Sequence, residues 1–518
     1  MAIMKLKRPS LVSRGSVYRM IQTADEAWKR RDFQQCFEWL ERASRLDPAN
    51  PSLLFILGQR YGLRYDYAAA ERHFDKAVRL TTRKSEALAI AGQLSTDFAS
   101  HQVAEHYFQQ ALEQKDTPPE TFARLAELYE RLHRLEDASK LAEQALQLDA
   151  NCALARLTQA RLSRQAGHLE EAEKILRRVL GSAQREMRIR GYYELGAILD
   201  RQGRYDEAMT AFLEAKAMLR PDTQPLLAQV QANRIVAKKT LADFTAETMH
   251  RWFDFGPQLQ PLRCLSFLGG HPRSGTTLLE QVLDSHPDIV SAEETQVFVD
   301  DVFNPLKANL PGGAPLAILD AARADALQQS RARYFHSMEL CLNNVIGDRM
   351  LIDKNPQTTL LLPAYIRIFP EIKILVALRD PRDVVLSCFM QCYVPVTSGN
   401  VTYLSLEETT EGYAHLTENW KIFSSLIKNP WLEVRYEDVV ADLESVSRRV
   451  LDFLGVSWDA SVLRFDEHAR SKRVRSPTYA DVTQPVYKRA LGRWRNYRKY
   501  LEPCLHRLEP FAKALGYE

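Results

Sequence analysis

The sequence predicts a multidomain chain: an all-α helical solenoid followed by an α/β domain with a central parallel sheet. Three observations carry this. Small residues recur with a period of 34 between Ala24 and Ala172. The apolar run Cys264 to Leu268 feeds a glycine-bearing loop and then a helical pattern from Leu278 to Leu283. A second apolar run, Ile374 to Leu378, ends in Arg379 and leads into the helical pattern of Val384, Val385 and Leu386. At 518 residues the chain is too long for one hydrophobic core and suits two or three domains.

The first of these elements declares itself by self-similarity. One column of small residues is Ala24, Gly58, Gly92, Ala126 and Ala160, and a second is Cys36, Ala70, Ala104, Ala138 and Ala172. A third is Ala43, Ala77, Ala111, Ala145 and Val179. A further round arrives two residues late, at Gly196, Ala208 and Ala215, which implies an insertion near Gly181 to Arg188. Bulky residues fill the same register: Leu40, Phe74, Phe108, Leu176 and Phe212. This period and these positions resemble tetratricopeptide repeats, in which paired antiparallel helices approach closely only where side chains are small. The resemblance implies a solenoid over residues 16–219, with a concave groove that holds an extended peptide or another protein. A purely structural or homodimerising role for the array stays open. Residues 220–261 read as a linker, helical from Leu226 to Ala242 and broken at Gly256-Pro257.

The third segment, residues 262–518, holds the chemistry. Its first loop, Gly270-His271-Pro272-Arg273-Ser274-Gly275-Thr276-Thr277, keeps the glycine spacing of a nucleotide hydrolase's phosphate-binding loop. Thr276 stands where such loops carry lysine, and the nearest cation is Arg273, inside the loop. Set between a strand and a helix N-terminus, the loop suits an oxyanion and is expected to bind it without a metal. Arg379, at the end of the second strand, and Ser387, two helical turns later, can converge on another phosphate. Two anion sites at the carboxyl edge of one parallel, P-loop-like sheet suit a doubly phosphorylated nucleotide.

Pro272 to Thr277, Arg379-Asp380-Pro381-Arg382-Asp383 with Ser387, and Val434-Arg435-Tyr436-Glu437-Asp438 resemble, in order and spacing, the donor-binding elements of sulfotransferases that use 3′-phosphoadenosine 5′-phosphosulfate. Within that superfamily, Asp284-Ser285-His286-Pro287 and Glu293-Glu294-Thr295 look most like tyrosylprotein sulfotransferases. The resemblance assigns Arg273, Ser274, Gly275, Thr276 and Thr277 to the 5′-phosphosulfate. It assigns Arg379 and Ser387 to the 3′-phosphate, with Tyr436 beside them. Thr478 and Arg493 fall on two further donor contacts, which are a serine and a lysine in the tyrosylprotein branch. Glu294 matches the catalytic base, which takes the proton of an acceptor hydroxyl whose ordinary pKa is about 10 for a phenol. Lys354, in Asp353-Lys354-Asn355-Pro356, matches a lysine facing the transferring group. With Arg273 it would stabilise charge growing on the leaving phosphate. Gln484-Pro485-Val486-Tyr487 looks like part of a flap over the nucleotide.

The expected function is sulfuryl transfer from that donor to an acceptor hydroxyl, by preference a tyrosine in a protein recruited by the repeats. A carbohydrate or lipid hydroxyl is the alternative acceptor. A repeat scaffold with an inactive nucleotide-binding domain is the alternative from another class. Simpler readings compete residue by residue. Glu293 and Glu294 could open a solvated helix, Arg379 and Arg382 could pair with Asp380 and Asp383 at the surface, and Lys354 could be a surface lysine. Asp300-Asp301 reads as a charged helix face, His271 and His286 as turn residues, and Cys388 with Cys392 as half-buried packing. A net charge of +3 argues against nucleic acid as a partner. No segment approaches a membrane span, no signal-peptide core follows the basic start, and the seven scattered cysteines require no disulfides, so a cytoplasmic location is expected.

Overall fold

The computed structural model describes residues 11–98, 101–308, 315–393, 398–471 and 482–517. Helices Leu11–Lys29, Phe33–Leu46, Pro51–Leu63, Tyr67–Leu80, Lys84–Asp97, His101–Leu112, Pro119–Arg131 and Leu135–Leu148 form successive pairs. The sequence sets their ends: Asp32, Asn50 and Asp66 each accept the N–H of the residue three positions on, and Pro51 opens its helix. Inside the pairs, Ala24, Cys36, Ala43, Ala70, Ala77, Ala104, Ala111, Ala126, Ala138 and Ala145 are all fully buried. A Cβ on Gly92 would come within 2.8 Å of the Phe108 ring, and one on Gly196 within 2.6 Å of Phe212. Gly58 meets Phe74 in the same way. The two sequence columns are therefore the two sides of one contact, the missing side chain of one helix making room for the ring of the next. Among the described residues, five of the pairs turn through a left-handed residue that also keeps the repeat spacing: Arg31, Tyr65, His133, Gly167 and, after the insertion, Gly203.

The chain divides into two compact units, Met1–Leu162 and Ser163–Glu518, so the division falls inside the helix Ala153–Gln165. Helices Leu169–Val179, Arg185–Arg201 and Tyr205–Leu219 thus belong to the second unit with the sheet, although their sequence continues the repeat. The insertion is taken up by a longer connection and a longer helix, Arg185–Arg201. Lys216, on the last of these helices, is fully buried and donates to the Tyr403 carbonyl at 2.6 Å. Its burial pushes the ammonium pKa down to about 7, against a smaller opposing pull from Cys392 and Cys388. The stretch between repeats and sheet contains helices Gln224–Ala242 and Ala246–Asp254.

The sheet is five-stranded and wholly parallel, in the order β2-β3-β1-β4-β5: β1 Leu265–Gly270, β2 Ile289–Glu293, β3 Met350–Lys354, β4 Lys373–Leu378 and β5 Trp431–Arg435. Both faces of β1 are covered, which explains why it reads as an unbroken apolar run. On one face Leu268, Ile352, Leu375 and Val434 pack against Leu279, Val282 and Leu283 of α1 (Thr276–Asp284). On the other, Phe267 meets Tyr365 with ring centroids 4.8 Å apart. The register aligns Leu268 with Lys354, Lys354 with Glu293, Gly270 with Ala377, and Leu378 with Arg435. All of the strand-end motifs therefore emerge at one carboxyl edge, where open parallel sheets bind ligands. Among the described residues no helix is long and apolar enough to cross a membrane.

Candidate active site

The loop after β1 is a backbone device. Gly270, Arg273 and Gly275 all have positive φ, at 122°, 73° and 97°. Gly270 lies directly against the Ala377 carbonyl and Gly275 against the Tyr436 ring, so neither position has room for a side chain. Gly275 caps α1 without a side-chain bond, which leaves the first N–H groups of the helix turned toward the loop. The loop is pinned from β3's turn: the Thr359 hydroxyl accepts the Gly270 N–H at 3.1 Å and donates to the Pro356 carbonyl at 2.9 Å. Ser274, Thr276 and Thr277 are all buried.

The second basic element reaches the first. α2 (Pro381–Phe389) carries Ser387, whose hydroxyl accepts the Arg273 Nε–H at 3.0 Å. Arg379 donates to the Arg273 carbonyl at 3.3 Å and to the Ala490 carbonyl, and its guanidinium lies 4.7 Å from the centre of the Tyr436 ring. Tyr436 is thus a slab between Gly275 and Arg379, a role that its place beside the 3′-phosphate ligands did not reveal. The Arg379 Nε is buried and has no hydrogen-bond partner among the described residues. Such an orphaned cationic donor beside open helix N–H groups fits an anion. Neither Arg379 nor Arg382 is at the surface. Arg382 does pair with Asp380, through bonds of 2.9 and 2.8 Å, but as a buried fork stacked on Trp494.

The third component lies across β1. Lys354 ends β3, fully buried, so the surface-lysine reading is overturned. Its Nζ is 2.7 Å from Glu294 Oε1, 3.3 Å from Glu280 Oε2 and 3.7 Å from Glu293 Oε1. Burial alone would lower the lysine's pKa, but the carboxylates of Glu280, Glu294 and Glu293 outweigh it and raise the value, so Lys354 is an ammonium. Glu293 and Glu294 do not open a helix. Glu293 closes β2, and Glu294 follows in the left-handed region at φ 47° while its N–H still bonds the Lys354 carbonyl at 2.9 Å. That conformation is strained for glutamate and turns its carboxylate onto Lys354. The Glu294 side chain is 33 % exposed while Lys354 is wholly covered, so an incoming group meets the carboxylate first.

Residues 266–460 match the profile of the Sulfotransferase family, and residues 189–218 match a tetratricopeptide repeat. Over residues 266–460 the chain is similar to the sulfotransferase family. An uncharacterized protein of Aquifex aeolicus is 26% identical over 360 residues, covering 67% of this chain and 45% of the relative. Protein-tyrosine sulfotransferase 1 of Danio rerio is 28% identical over 237 residues, covering 44% of this chain and 65% of the relative. The chain therefore spans less than two thirds of either protein's length. The sulfotransferase domain of a Synechococcus olefin synthase aligns at 21% identity and a TM-score of 0.34, covering 49% of this chain and 96% of that one.

Not every expected residue joins this site. The Arg493 guanidinium is held by Asp200, with Nε 3.0 Å from Oδ1 and Nη2 2.7 Å from Oδ2, so it is engaged by a repeat helix rather than turned to an anion. Its neighbours Gly492 and Trp494 instead bond Asp383 through their N–H groups, at 2.7 and 2.8 Å. Thr478 lies outside the described residues. Asp300 and Asp301 are buried, which corrects the charged-face reading. His271 is buried at the head of the loop, and burial pushes its pKa down to about 4. His286 bonds the Ser457 carbonyl at 2.8 Å, a structural role. Cys388 is buried and Cys392 exposed. The residues that sequence reasoning missed are supporting ones: Thr359, Asp353, which accepts from Tyr334 and Tyr365 at 2.7 and 2.9 Å, and Glu280. Glu280 did leave a signal, a charge inside the apolar pattern of α1.

Proposed function

We propose that the chain transfers a sulfuryl group from 3′-phosphoadenosine 5′-phosphosulfate to an acceptor hydroxyl, by preference a tyrosine of a protein. One observation carries the reading: Arg273, Ser387, Arg379 and Tyr436 form one bonded group at the edge where Glu294 and Lys354 form another. The first group is cationic and leaves the buried Arg379 Nε without a partner among the described residues, which suits an anionic end of the nucleotide. The second joins a partly exposed carboxylate to a covered ammonium. Glu294 would take the proton of the acceptor hydroxyl, and Lys354 and Arg273 would balance the charge that grows on the departing phosphate. The likeness to protein-tyrosine sulfotransferases supports a phenolic acceptor, and the repeats support recruitment of a protein that carries it.

Titration calorimetry tests the donor. Adenosine 3′,5′-bisphosphate is expected to bind tightly with no added metal, and ATP with Mg²⁺ weakly. A preference for ATP would remove the basis of the reading. Incubating a cell extract with labelled donor and this protein, then locating the label, tests the acceptor: label on tyrosine supports the reading, and label on glycan or lipid replaces it with the alternative acceptor.

A further inference from the structure

Three carboxylates surround one buried ammonium in this site, and the base reading uses only Glu294. Glu280 and Glu293 are left over, and of these Glu280 is the fully buried one. It stands one turn into α1, fully buried, with Oε1 accepting the Ser291 hydroxyl at 2.6 Å and Oε2 3.3 Å from Lys354 Nζ. A buried carboxylate without a task is a standing liability, because desolvating it is expensive. Its task follows from what Glu294 must do. When Glu294 accepts a proton, its charge disappears and the 2.7 Å ion pair with Lys354 loses its Coulombic part. A buried lysine without a counter-charge tends to surrender its proton.

We propose that Glu280 is a positioning residue for the transfer: its carboxylate keeps Lys354 in place and charged while Glu294 is protonated, so the cation remains for the oxygen from which sulfur departs. This rests on the sulfuryl-transfer reading above. In the step, the acceptor oxygen bonds to sulfur as the bond from sulfur to the bridging phosphate oxygen breaks. The hydroxyl proton passes to Glu294, and the electron pair of the broken bond leaves with the bisphosphate. Lys354 keeps all its protons throughout. The groups facing it are Glu280 from α1, Glu293 and Glu294 from the end of β2, and Tyr393 beyond α2. Of the three carboxylates only Glu280 is both fully buried and on a different element from the base.

Glu280→Gln preserves shape and removes the charge. The expected result is a fall in kcat of at least about tenfold. The alkaline limb of the kcat profile should move to lower pH, and adenosine 3′,5′-bisphosphate affinity should stay unchanged. Ser291→Ala, which loosens Glu280 but keeps its charge, should lower kcat less and leave the limb in place. A purely structural Glu280 would lower the melting temperature without moving the limb, and a profile superimposable on that of the wild type overturns the proposal. Should Glu280→Gln fail to fold, Glu280→Asp decides, since withdrawing the charge by one methylene must move the limb the same way. A wild-type protein that transfers no sulfuryl group to any phenol would fail the functional reading instead. Nitrogen-15 NMR titration of Lys354 Nζ then still reports on Glu280: a lower titration point in Glu280→Gln supports its role, and an identical one refutes it.

Discussion

The paired helices of residues 11–148 and the carboxyl edge of the sheet are both densely packed, yet by different currencies of specificity. In the helices the fit is one of size. Alanines and glycines sit opposite rings, and the large buried groups, Phe55, Phe74 and Phe108, carry no charge. At the sheet edge the fit is one of charge: Asp353, Lys354, Arg379, Arg382 and Asp383 are all buried within a few residues of strand ends, and Glu280 is buried on α1. A core fitted by size fails when volume changes, and one fitted by charge fails when a proton or an ion pair is lost. The two regions should therefore respond to opposite kinds of substitution.

The largest effect is expected at the charged edge. Glu294→Gln, nearly isosteric, should cut turnover by about 10²- to 10⁴-fold while calorimetry shows unchanged bisphosphate binding; unaltered turnover would strip Glu294 of the base role. Lys216 sharpens the contrast, being a charge-bearing residue on a repeat-like helix. Its folded pKa of about 7 lies below the ordinary 10.5, so between these values the unfolded chain binds more protons. Stability should thus rise with pH through that window and be level below it. Lys216→Met should abolish its share of the rise and raise stability at pH 7, on the order of a few kcal/mol, in denaturant titrations at pH 7 and pH 9. Arg379→Ala should weaken bisphosphate binding by about 1.5–3 kcal/mol, read by calorimetry. In the size-fitted region, Gly92→Ala should destabilise by about 1–3 kcal/mol. Phe108→Leu in the same chain should restore part of that loss, and strictly additive losses would break the proposed pairing of columns.

How much of this was legible in sequence follows the same division. The repeat was readable because size complementarity recurs: one Gly–Phe contact is noise, but three at the same spacing are a pattern. The strand that stops before Arg379 was readable because an apolar run marks a parallel strand and a polar residue marks where it stops, whereas Lys354 and Arg435 were singled out by family resemblance and their strands came only from the structure. The strand boundaries themselves were offset, β1 starting at Leu265 and running through both glycines to Gly270, because glycine carries no apolar signal. What could not be read is which charges face each other. Arg493 looked like any donor-site cation, and only its meeting with Asp200, far away in sequence, redirects it. Similarly, Glu280 and Asp353 gain meaning from partners on other elements. The unit boundary at Leu162 was invisible for a related reason, since the repeat period runs through it unchanged.

The lag between each Gly58-, Gly92- or Gly196-type position and its aromatic partner is always sixteen residues, within a single helix pair. A duplication or recombination cut that keeps both helices of a pair together carries the matched halves with it. One that falls in the turn between them joins a glycine to the wrong partner and leaves either a hole or a collision. The array can therefore lengthen or shorten by whole repeats over evolutionary time, while its seams are fixed at the connections between pairs.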